Sequence, residues 1–281
     1  MSTNALIAAP GPGRTRLPIH TFGPNNEYVV KVAGDLRTRR LAYRLVYDEY
    51  LKEGYTRPHP EGIWVTVFDA HPGTVTVVVE RDGEAVGTLT IVPDSPLGLP
   101  ADAVYGGDLD RLRRSGTRLS EIISLAVSRE ETAGSQVVVT LCMFAYMVAR
   151  RIHRSDAMVI TINPRHARYY ERRMHFAQIG EERAYGKVEG APAVLLSCRL
   201  DTHLSVRGGD RERTIYRDWP GEEHLAELAS LARRAHRPMS DKEFDYFIRK
   251  NRPVWERTTE SEKCFLEDAV VIANLHSVPI Q

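Results

Sequence analysis

A glutamate inside an apolar segment is the first residue in this sequence whose type and position suggest chemistry. In LSEIISLAV (119–127) the residues around Glu121 are mostly apolar, so strand alternation would place its carboxylate on a largely buried sheet. Burial raises the pKa of a carboxyl group, and a raised pKa suits a general base that deprotonates an amine near neutral pH. Spacing alone favours a different role, a structural ion pair with Arg118, and both interpretations stay open here.

Polar and aromatic residues are concentrated in INPRHARYYERRMHF (162–176), directly after an apolar run. Asn163-Pro164 predicts the end of a strand and the start of a short helix, because proline fits the first helical turn. Tyr169 and Tyr170 are neighbours and cannot both face the core, so one is expected to pack and the other to point elsewhere. His166 could act as an acid or a base, although a lone histidine near a helix start is more often a cap or a surface residue.

A short polar loop, SREETAGSQ (128–136), leads into an apolar helix. Small residues such as Gly134 and Ser135 at a helix N-terminus can present backbone N–H groups to a phosphate or a carbonyl oxygen. A plain helix cap explains the same residues more simply.

The remaining pattern predicts the elements that must position these residues. A helix from Asp35 to about Gly54 begins with an Asp N-cap, and Arg37, Arg39 and Arg40 are interpreted as its solvated face. Within it, Arg44 precedes Asp48 by one turn, as in an intrahelical ion pair.

Strand patterns follow that helix. Asp82-Gly83 between two β-branched runs predicts a hairpin. The further predicted elements are strands at 74–80, 85–91, 119–127, 157–162, 178–184 and 193–200, a long loop at 93–117, and a helix at 135–151. This order predicts an α/β (α+β) fold with a mixed central sheet flanked by helices.

Three parts of the chain differ in character. Residues 1–27 are predicted to be an N-terminal arm, 28–204 the main domain, and 205–281 a linker with a C-terminal helical extension. Within the extension, apolar residues spaced by three and four predict helices at 222–236, 241–250 and 256–274.

Composition excludes several classes of protein. The 281 residues include 38 basic and 37 acidic side chains, and a net charge of +1 offers no global attraction to nucleic acid. Three cysteines without CxxC spacing argue against a metal site or a disulfide framework and suit a reducing cytoplasm. No apolar run approaches the ~18 residues of a membrane span, and the N-terminus lacks the pattern of a signal peptide. We therefore expect a cytoplasmic protein and leave peripheral membrane contact and the oligomeric state open.

The order of these elements resembles the GCN5-related N-acetyltransferase (GNAT) superfamily. More specifically, the sequence is similar to long-chain N-acyl amino acid synthases (FeeM-like), which are relatives of acyl-homoserine lactone synthases. The resemblance spans about residues 35–200 and is carried by LAYRLVYDEYLKEGY (41–55), RLSEIISLAVSRE (118–130), INPRHARYYERRMHF (162–176) and IGEERAYGKVEGAPAVLL (179–196).

The resemblance implies transfer of a long-chain fatty acyl group from the phosphopantetheine thioester of acyl carrier protein to an amino group. Ordinary acetyltransferases of the superfamily carry Gln/Arg-x-x-Gly-x-Gly/Ala, whereas REETAGSQ (129–136) lacks that glycine pair. Binding of a CoA diphosphate is therefore in doubt. No tightly bound cofactor or metal is implied, since the acyl-phosphopantetheine or acyl-CoA donor is itself a substrate.

The resemblance also implies roles for individual residues. Glu121 would deprotonate the amine, and Tyr169 or Tyr170 would protonate the leaving thiolate. The oxyanion would meet backbone N–H groups near Leu125, Ala126 and Val127, with Gly134 and Ser135 close to the pantetheine. An apolar channel between the sheet and the first helix would accept the acyl chain.

Arginines complete the implied site. Arg44 or Arg118 would hold the acceptor's carboxylate in a bidentate fork, with Tyr47, His166 and Asn163 as further substrate contacts. The acidic carrier protein would dock on basic residues, for which the candidates are Arg150, Arg151, Arg154, Arg172 and Arg173. Ordinary solvated helix ends would account for these five arginines equally simply.

Rival functions remain at this point. An acyl-homoserine lactone synthase shares the fold and the donor, but its N-terminal tryptophan-containing pattern is not convincing here. An acetyl-CoA-dependent transferase is disfavoured by the loop at 129–136, and a non-catalytic acyl-binding or partner-docking module is a third interpretation. The acceptor amine and the acyl chain length are not specified by the sequence.

Overall fold

The computed structural model describes residues 19–201 and 214–275. Its centre is a sheet in the order β1-β2-β3-β4-β5-β6-β9-β7, with β8 paired to β9. All strand pairs are antiparallel except β5 with β6. The strands are β1 His20–Phe22, β2 Tyr28–Val32, β3 Val75–Arg81, β4 Glu84–Pro93, β5 Leu119–Val127, β6 Ala157–Ile162, β7 Ala177–Gln178, β8 Arg183–Tyr185 and β9 Ala191–Arg199.

Helices flank the sheet and form most of the C-terminal region. They are α1 Leu36–Lys52, α2 Asp102–Arg114, α3 Gly134–Met147, α4 Pro164–Met174, α5 Glu222–Ala235, α6 Asp241–Phe244, α7 Arg252–Arg257 and α8 Glu260–Leu275. Single π-turns follow α3 at Val148–Ile152 and α6 at Asp245–Arg249. The mixed sheet flanked by helices confirms the predicted fold class.

Local sequence explains several element boundaries. Asp82 and Gly83 both have positive φ, 54° and 84°, as a tight hairpin between twisted strands requires. Asp35 caps α1 by accepting a hydrogen bond from the Thr38 backbone N–H at 2.9 Å. Asn163 caps α4 in the same way, accepting from the Arg165 N–H at 3.1 Å, with Pro164 in the first turn.

Three sequence-based element predictions were wrong. The segment predicted as the loop 93–117 contains α2, because Tyr105 and Leu109 lie one turn apart and bury the same face, although adjacent glycines weaken the helical pattern. The single strand predicted at 178–184 is two short strands. The helix predicted at 256–274 divides at Thr258, which is extended, and restarts at Glu260.

The predicted N-terminal arm and linker lie partly within the described residues. Residues 20–22 of the predicted arm form β1, and β2 was not predicted at all; residues 1–18 lie outside the described part of the chain. The predicted linker at 205–220 lies outside the described residues up to 213, and Ile215–Asp218 forms a short 3₁₀ turn.

The two faces of the sheet carry separate apolar layers. Val77 and Val79 point to the layer that contains α3, while Val78 points to the layer that contains α1. The C-terminal helices contribute to both layers, through Leu225 of α5 on the first and Phe247 on the second. The extension is therefore packed against the sheet layers rather than standing apart from them.

Arg39 of α1 is buried, contrary to the solvated face predicted for it. Its guanidinium donates to Glu243 Oε1 at 2.6 Å and to the Arg237 carbonyl, both in the C-terminal region. The flanking residues Arg37 and Arg40 are exposed, as predicted. A buried pair thus links the first helix to the extension.

Close packing of α3 on β4 depends on Gly87. A Cβ atom at Gly87 would overlap Val137 Cγ1 and lie 3.2 Å from Leu141 Cδ1. We expect Gly87→Ala to lower the free energy of unfolding by about 1–3 kcal/mol, because overpacking displaces the helix. Urea denaturation measures it, with Gly107→Ala in α2 as the matched control. No atom lies within 4 Å of a Cβ there, so the control should be neutral or stabilising, and equal losses in both variants would contradict the packing argument.

One helical stretch of the described chain, Gly134–Ile152, is long and apolar enough to cross a membrane. Of that window, 61% is buried inside the protein, and core helices pass the same test. The stretch is accordingly weak evidence for a membrane span.

Candidate active site

A cleft opens where two parallel strands separate. Pairing between β5 and β6 ends at Ile122 opposite Ile160, and the remainder of β5 continues without β6. A register shift between β4 and β5 bulges β5 at this point, and Ser124 takes a positive φ of 55° there. The backbone edge of β5 that faces the gap therefore has no β6 partner beyond Ile122.

A cavity of about 680 Å³, here called the cleft cavity, occupies this gap. Ten residues singled out in the sequence line it: Glu121, Leu125, Ala126, Val127, Gly134, Ser135, Asn163, His166, Tyr169 and Tyr170. These residues come from three segments that are distant in sequence: β5, the start of α3, and α4 with its cap Asn163.

Glu121 is 1% exposed and lines the cleft cavity. Its Oε2 accepts the Ala101 backbone N–H at 2.8 Å, and Thr161 Oγ1 lies 3.5 Å from Oε1. Burial raises the pKa of Glu121 to about 7, although the Ala101 N–H and the charge of Lys187 oppose the rise. The alternative ion pair with Arg118 does not form, because Arg118 binds Asp156 at 2.8 Å.

Two residues beside Glu121 were missed by the sequence reasoning. Tyr185 and Lys187 both donate to the Pro100 carbonyl, at 3.3 and 3.1 Å, and Lys187 Nζ lies 4.7 Å from the centroid of the Phe68 ring. Burial raises the pKa of Tyr185 and lowers that of Lys187. Their segment, residues 185–187, has no periodic signal in the sequence, and only the pairing of β8 with β9 brings it to Glu121.

Removing Lys187 should move the pH dependence of the reaction. We expect Lys187→Met to shift the rise in kcat/KM to higher pH, because the positive charge of Lys187 lowers the pKa of Glu121. A pH–rate profile measures it, with Lys263→Met as a control, because Lys263 does not line the cleft cavity. An unchanged profile would contradict the coupling.

The two adjacent tyrosines differ in environment. Tyr170 packs against Phe176 in the apolar layer, with ring centroids 5.8 Å apart, whereas Tyr169 is 44% exposed. Burial raises the pKa of both phenols, so both are protonated at neutral pH and able to donate a proton. Both line the cleft cavity.

The N-terminus of α3 faces the same cavity through Gly134 and Ser135. Glu131 shapes the preceding loop by accepting the Ala133 N–H at 2.8 Å and the Tyr28 hydroxyl at 2.7 Å. The first-turn N–H groups of a helix have no intrahelical partners and can serve an anionic or carbonyl oxygen.

Several predicted substrate residues are not at the cavity. Arg44 is exposed and lies 3.8 Å from Asp48, Arg118 is paired to Asp156, and neither lines a described cavity. Tyr47 is buried, and its hydroxyl accepts the His59 backbone N–H at 3.1 Å. The arginines that do line the cleft cavity are Arg129 and Arg165, both bound to Glu53.

The five arginines predicted to dock a carrier protein fall into two groups. Arg150, Arg151 and Arg154 lie past the C-terminal end of α3, and the helical rise places that end roughly 20 Å from Gly134. Of these, Arg151 is bound to Glu222. Arg172 and Arg173 are exposed in the last turn of α4, the helix that carries the two tyrosines.

A second cavity of about 530 Å³, here called the extension cavity, adjoins the first. Five residues line both: Tyr55, Trp64, Thr66, Pro100 and Lys187. Most of the remaining lining of the extension cavity comes from residues 56–68, 97–103 and 251–262, together with Glu189. Within residues 19–201 and 214–275, no group of three or more His, Cys, Asp or Glu side chains could hold a metal ion.

Comparison with known proteins places this geometry in a family. The family model described as N-acyl amino acid synthase FeeM matches residues 41–199. The structure of FeeM, an N-acyl amino acid synthase from uncultured soil microbes, is 26% identical with a TM-score of 0.56, covering 66% of this chain and 94% of that chain.

Weaker structural similarity extends to two further proteins. The AHL synthase LasI is 14% identical, with a TM-score of 0.46, over 62% of this chain and 90% of that one. TofI, solved in a ternary complex with an inhibitor and MTA, is 19% identical, with a TM-score of 0.47, over 62% and 92%. No curated protein sequence matches the chain. Because the family match covers more than half of the chain, the resemblance seen in the sequence is confirmed: the protein belongs to the FeeM family of N-acyl amino acid synthases and is an N-acyltransferase.

Proposed function

We propose that this enzyme transfers a long-chain fatty acyl group from the phosphopantetheine thioester of an acyl carrier protein to the amino group of an amino acid in the cytoplasm. The observation that carries the proposal is the buried carboxylate of Glu121, which lines a largely apolar cleft and whose pKa burial raises to about 7. A base with this pKa is matched to the deprotonation of an ammonium group near neutral pH.

The reaction we propose is aminolysis of the donor thioester by the acceptor amine. Glu121 takes a proton from the acceptor's ammonium group, directly or through a water molecule, and the free amine attacks the thioester carbonyl carbon. The carbonyl oxygen becomes an oxyanion and is met by backbone N–H groups of Leu125–Val127, in the part of β5 that has no β6 partner. The C–S bond then breaks, Tyr169 or Tyr170 protonates the leaving thiolate, and the nitrogen gives up its second proton to the resulting tyrosinate as the amide forms. Glu121 releases its proton to solvent.

The shape of the cleft cavity supports a long acyl donor. Ile122, Leu125, Val138 and Ile160 are among its apolar lining residues, and its volume of about 680 Å³ is within the range of small-molecule sites. Arg129 and Arg165 lie on its wall and share Glu53, leaving guanidinium N–H groups for the single phosphodiester of a phosphopantetheine arm. The absence of a glycine pair in 129–136 favours this arm over the diphosphate of CoA.

The proposal is tested by product identification. The purified enzyme is incubated with a C16 acyl carrier protein or with C16 acyl-CoA and a mixture of amino acids, and the products are analysed by mass spectrometry. Extracted lipids from an overexpressing bacterium report the head group and chain length together. We expect an N-acyl amino acid with the carrier protein as donor. Exclusive use of the CoA donor would overturn the choice of donor, and no N-acyl product with either donor would overturn the proposed function.

A further inference from the structure

The C-terminal helices form one wall of the extension cavity. This wall comprises Asn251, Pro253, Val254, Arg257, Thr258 and Glu262. All six lie beyond residue 199, where the family match ends, so this part of the cavity is particular to the extension. The opposite wall is apolar and includes Ile63, Val65, Phe68 and Leu99.

Two polar side chains on the extension wall, Asn251 and Arg257, have no hydrogen-bond or ion-pair partner within residues 19–201 and 214–275. Asn251 is only 5% exposed, yet its side-chain amide forms no hydrogen bond to any residue of the described chain. The amide atoms of Asn251 are not among the fully buried unpartnered atoms, so they remain open to the cavity that the residue lines and can form hydrogen bonds with a ligand there. Arg257 lines the same wall, is exposed, and makes no ion pair within residues 19–201 and 214–275, so its guanidinium is open to a ligand.

The other charged groups of this cavity are occupied. Arg57 binds Glu189 at 2.9 Å, Asp102 binds Arg113 at 2.7 Å, and Lys187 donates to the Pro100 carbonyl. Glu262 accepts the backbone N–H and hydroxyl of Thr259, both at 2.8 Å, at the start of α8. Arg257 is consequently the cation on this wall that is available to a ligand anion.

The position of the cavity relative to Glu121 suggests which ligand it holds. If the acyl donor fills the cleft cavity, the amine must reach Glu121 from another direction, and the extension cavity adjoins the cleft cavity through Pro100 and Lys187. Both of these residues lie next to Glu121 in the structure, because Ala101 donates to its carboxylate and the charge of Lys187 acts on it.

We infer that the extension cavity binds the acceptor amino acid, with Arg257 and Asn251 holding its carboxylate and the apolar wall covering its carbon skeleton. This inference rests on the proposed function and assigns the C-terminal extension a role in acceptor selection. A guanidinium and a side-chain amide together offer the donors that a carboxylate accepts. An α-carboxylate and a side-chain carboxylate present the same chemistry, and the test separates them.

Steady-state kinetics of Arg257→Ala test the inference in the full-length enzyme. We expect KM for the amino acid acceptor to rise roughly 10- to 100-fold, the usual value of a hydrogen bond to a charged group, with KM for the acyl donor unchanged. Arg252→Ala is the matched control, because Arg252 is an exposed arginine of the same helix that does not line the cavity.

Changing the acceptor identifies the carboxylate. If the α-carboxylate binds Arg257, the α-methyl ester of the best acceptor should be a poor substrate for the wild type, and Arg257→Ala should impose no further loss on it. If a side-chain carboxylate binds, the α-methyl ester of an acidic amino acid should remain a good substrate, and only Arg257→Ala should impair it. Asn251→Leu should raise the same KM, provided that circular dichroism shows it folded.

Two outcomes would overturn the inference. An acceptor KM that does not change in Arg257→Ala would do so, as would a change confined to the preferred acyl chain length, which would assign the cavity to the donor. Both outcomes require a wild type that makes N-acyl product. A wild type without any such product would instead count against the proposed function itself.

Discussion

Replacing Glu121 with glutamine is expected to lower kcat/KM by about 10²- to 10⁴-fold, the usual contribution of a positioned general base. Glutamine keeps the size of the side chain and an oxygen for the Ala101 N–H, which donates at 2.8 Å. It cannot accept the proton of the ammonium group. Steady-state kinetics with the acyl donor and the acceptor measure the loss, and donor binding should be retained.

The pH dependence provides the control for this interpretation. Burial holds the pKa of Glu121 near 7, so the wild-type rate should rise with pH through about 7, and the residual rate of Glu121→Gln should not show that rise. A variant that keeps the wild-type rate would show that Glu121 is structural. If Glu121→Gln is inactive and no longer binds the acyl donor, misfolding would explain the loss, and circular dichroism would detect the misfolding.

Stability should change in the opposite direction from activity. The folded pKa of Glu121 lies above its unfolded value of 4.5, so the folded state binds the proton more tightly and stability falls as pH rises from about 4.5 to 7. The shift corresponds to a loss of roughly 3 kcal/mol of unfolding free energy between pH 4.5 and 7 in the wild type. Glu121→Gln has no carboxyl group at this position and should not show that loss. Urea denaturation at pH 5 and pH 8 compares the two proteins.

Removing the buried guanidinium of Arg39 should have the largest effect on stability. We expect Arg39→Ala to cost about 3–5 kcal/mol, because it leaves the Glu243 carboxylate buried without the partner that binds it at 2.6 Å. The loss should detach the C-terminal helices from α1 first, and limited proteolysis should then cleave between residues 220 and 275. Urea denaturation measures the stability.

Matched variants separate the buried pair from charge in general. Arg40→Ala removes an exposed arginine from the neighbouring position and should change stability by less than about 0.5 kcal/mol. Arg39→Met combined with Glu243→Gln should recover part of the loss, since no charge is then left buried alone. The glutamine oxygen can still accept the Ser240 backbone N–H and hydroxyl. If Arg39→Ala behaves like Arg40→Ala, the pair does not hold the extension in place.

The C-terminal extension contributes both to the stability of the fold and to the wall of the extension cavity. Its helices contribute Phe244, Phe247 and Leu266 to the apolar layer around α1, and its Asn251 and Arg257 to the cavity wall. Loss of the Arg39–Glu243 link should therefore raise the acceptor KM as well as lower stability. Truncating the chain after residue 201 would confound the two effects, whereas the point variants do not.

Local patterns determined much of this protein. Alternation in LSEIISLAV placed Glu121 on a buried strand, Asp82-Gly83 marked the hairpin, and Asn163-Pro164 marked the start of α4, because each depends only on neighbouring residues. The order of these elements was enough for the family resemblance, which the match over residues 41–199 confirmed. Residues near the β5–β6 gap were found for the same reason, since they lie at the ends of recognisable elements.

Long-range contacts decided the rest. In the sequence, Arg39 has no feature that distinguishes it from an arginine on a helix surface. In the structure it is buried and paired with Glu243, about two hundred residues later. Arg44 and Arg118 form ion pairs with Asp48 and Asp156 instead of binding substrate. The pKa of Glu121 depends on its burial, on the Ala101 N–H at the start of α2 and on the charge of Lys187 in the turn after β8. Charge partners and desolvation are properties of the folded neighbourhood, and a sequence pattern records only the residue's own position along the chain.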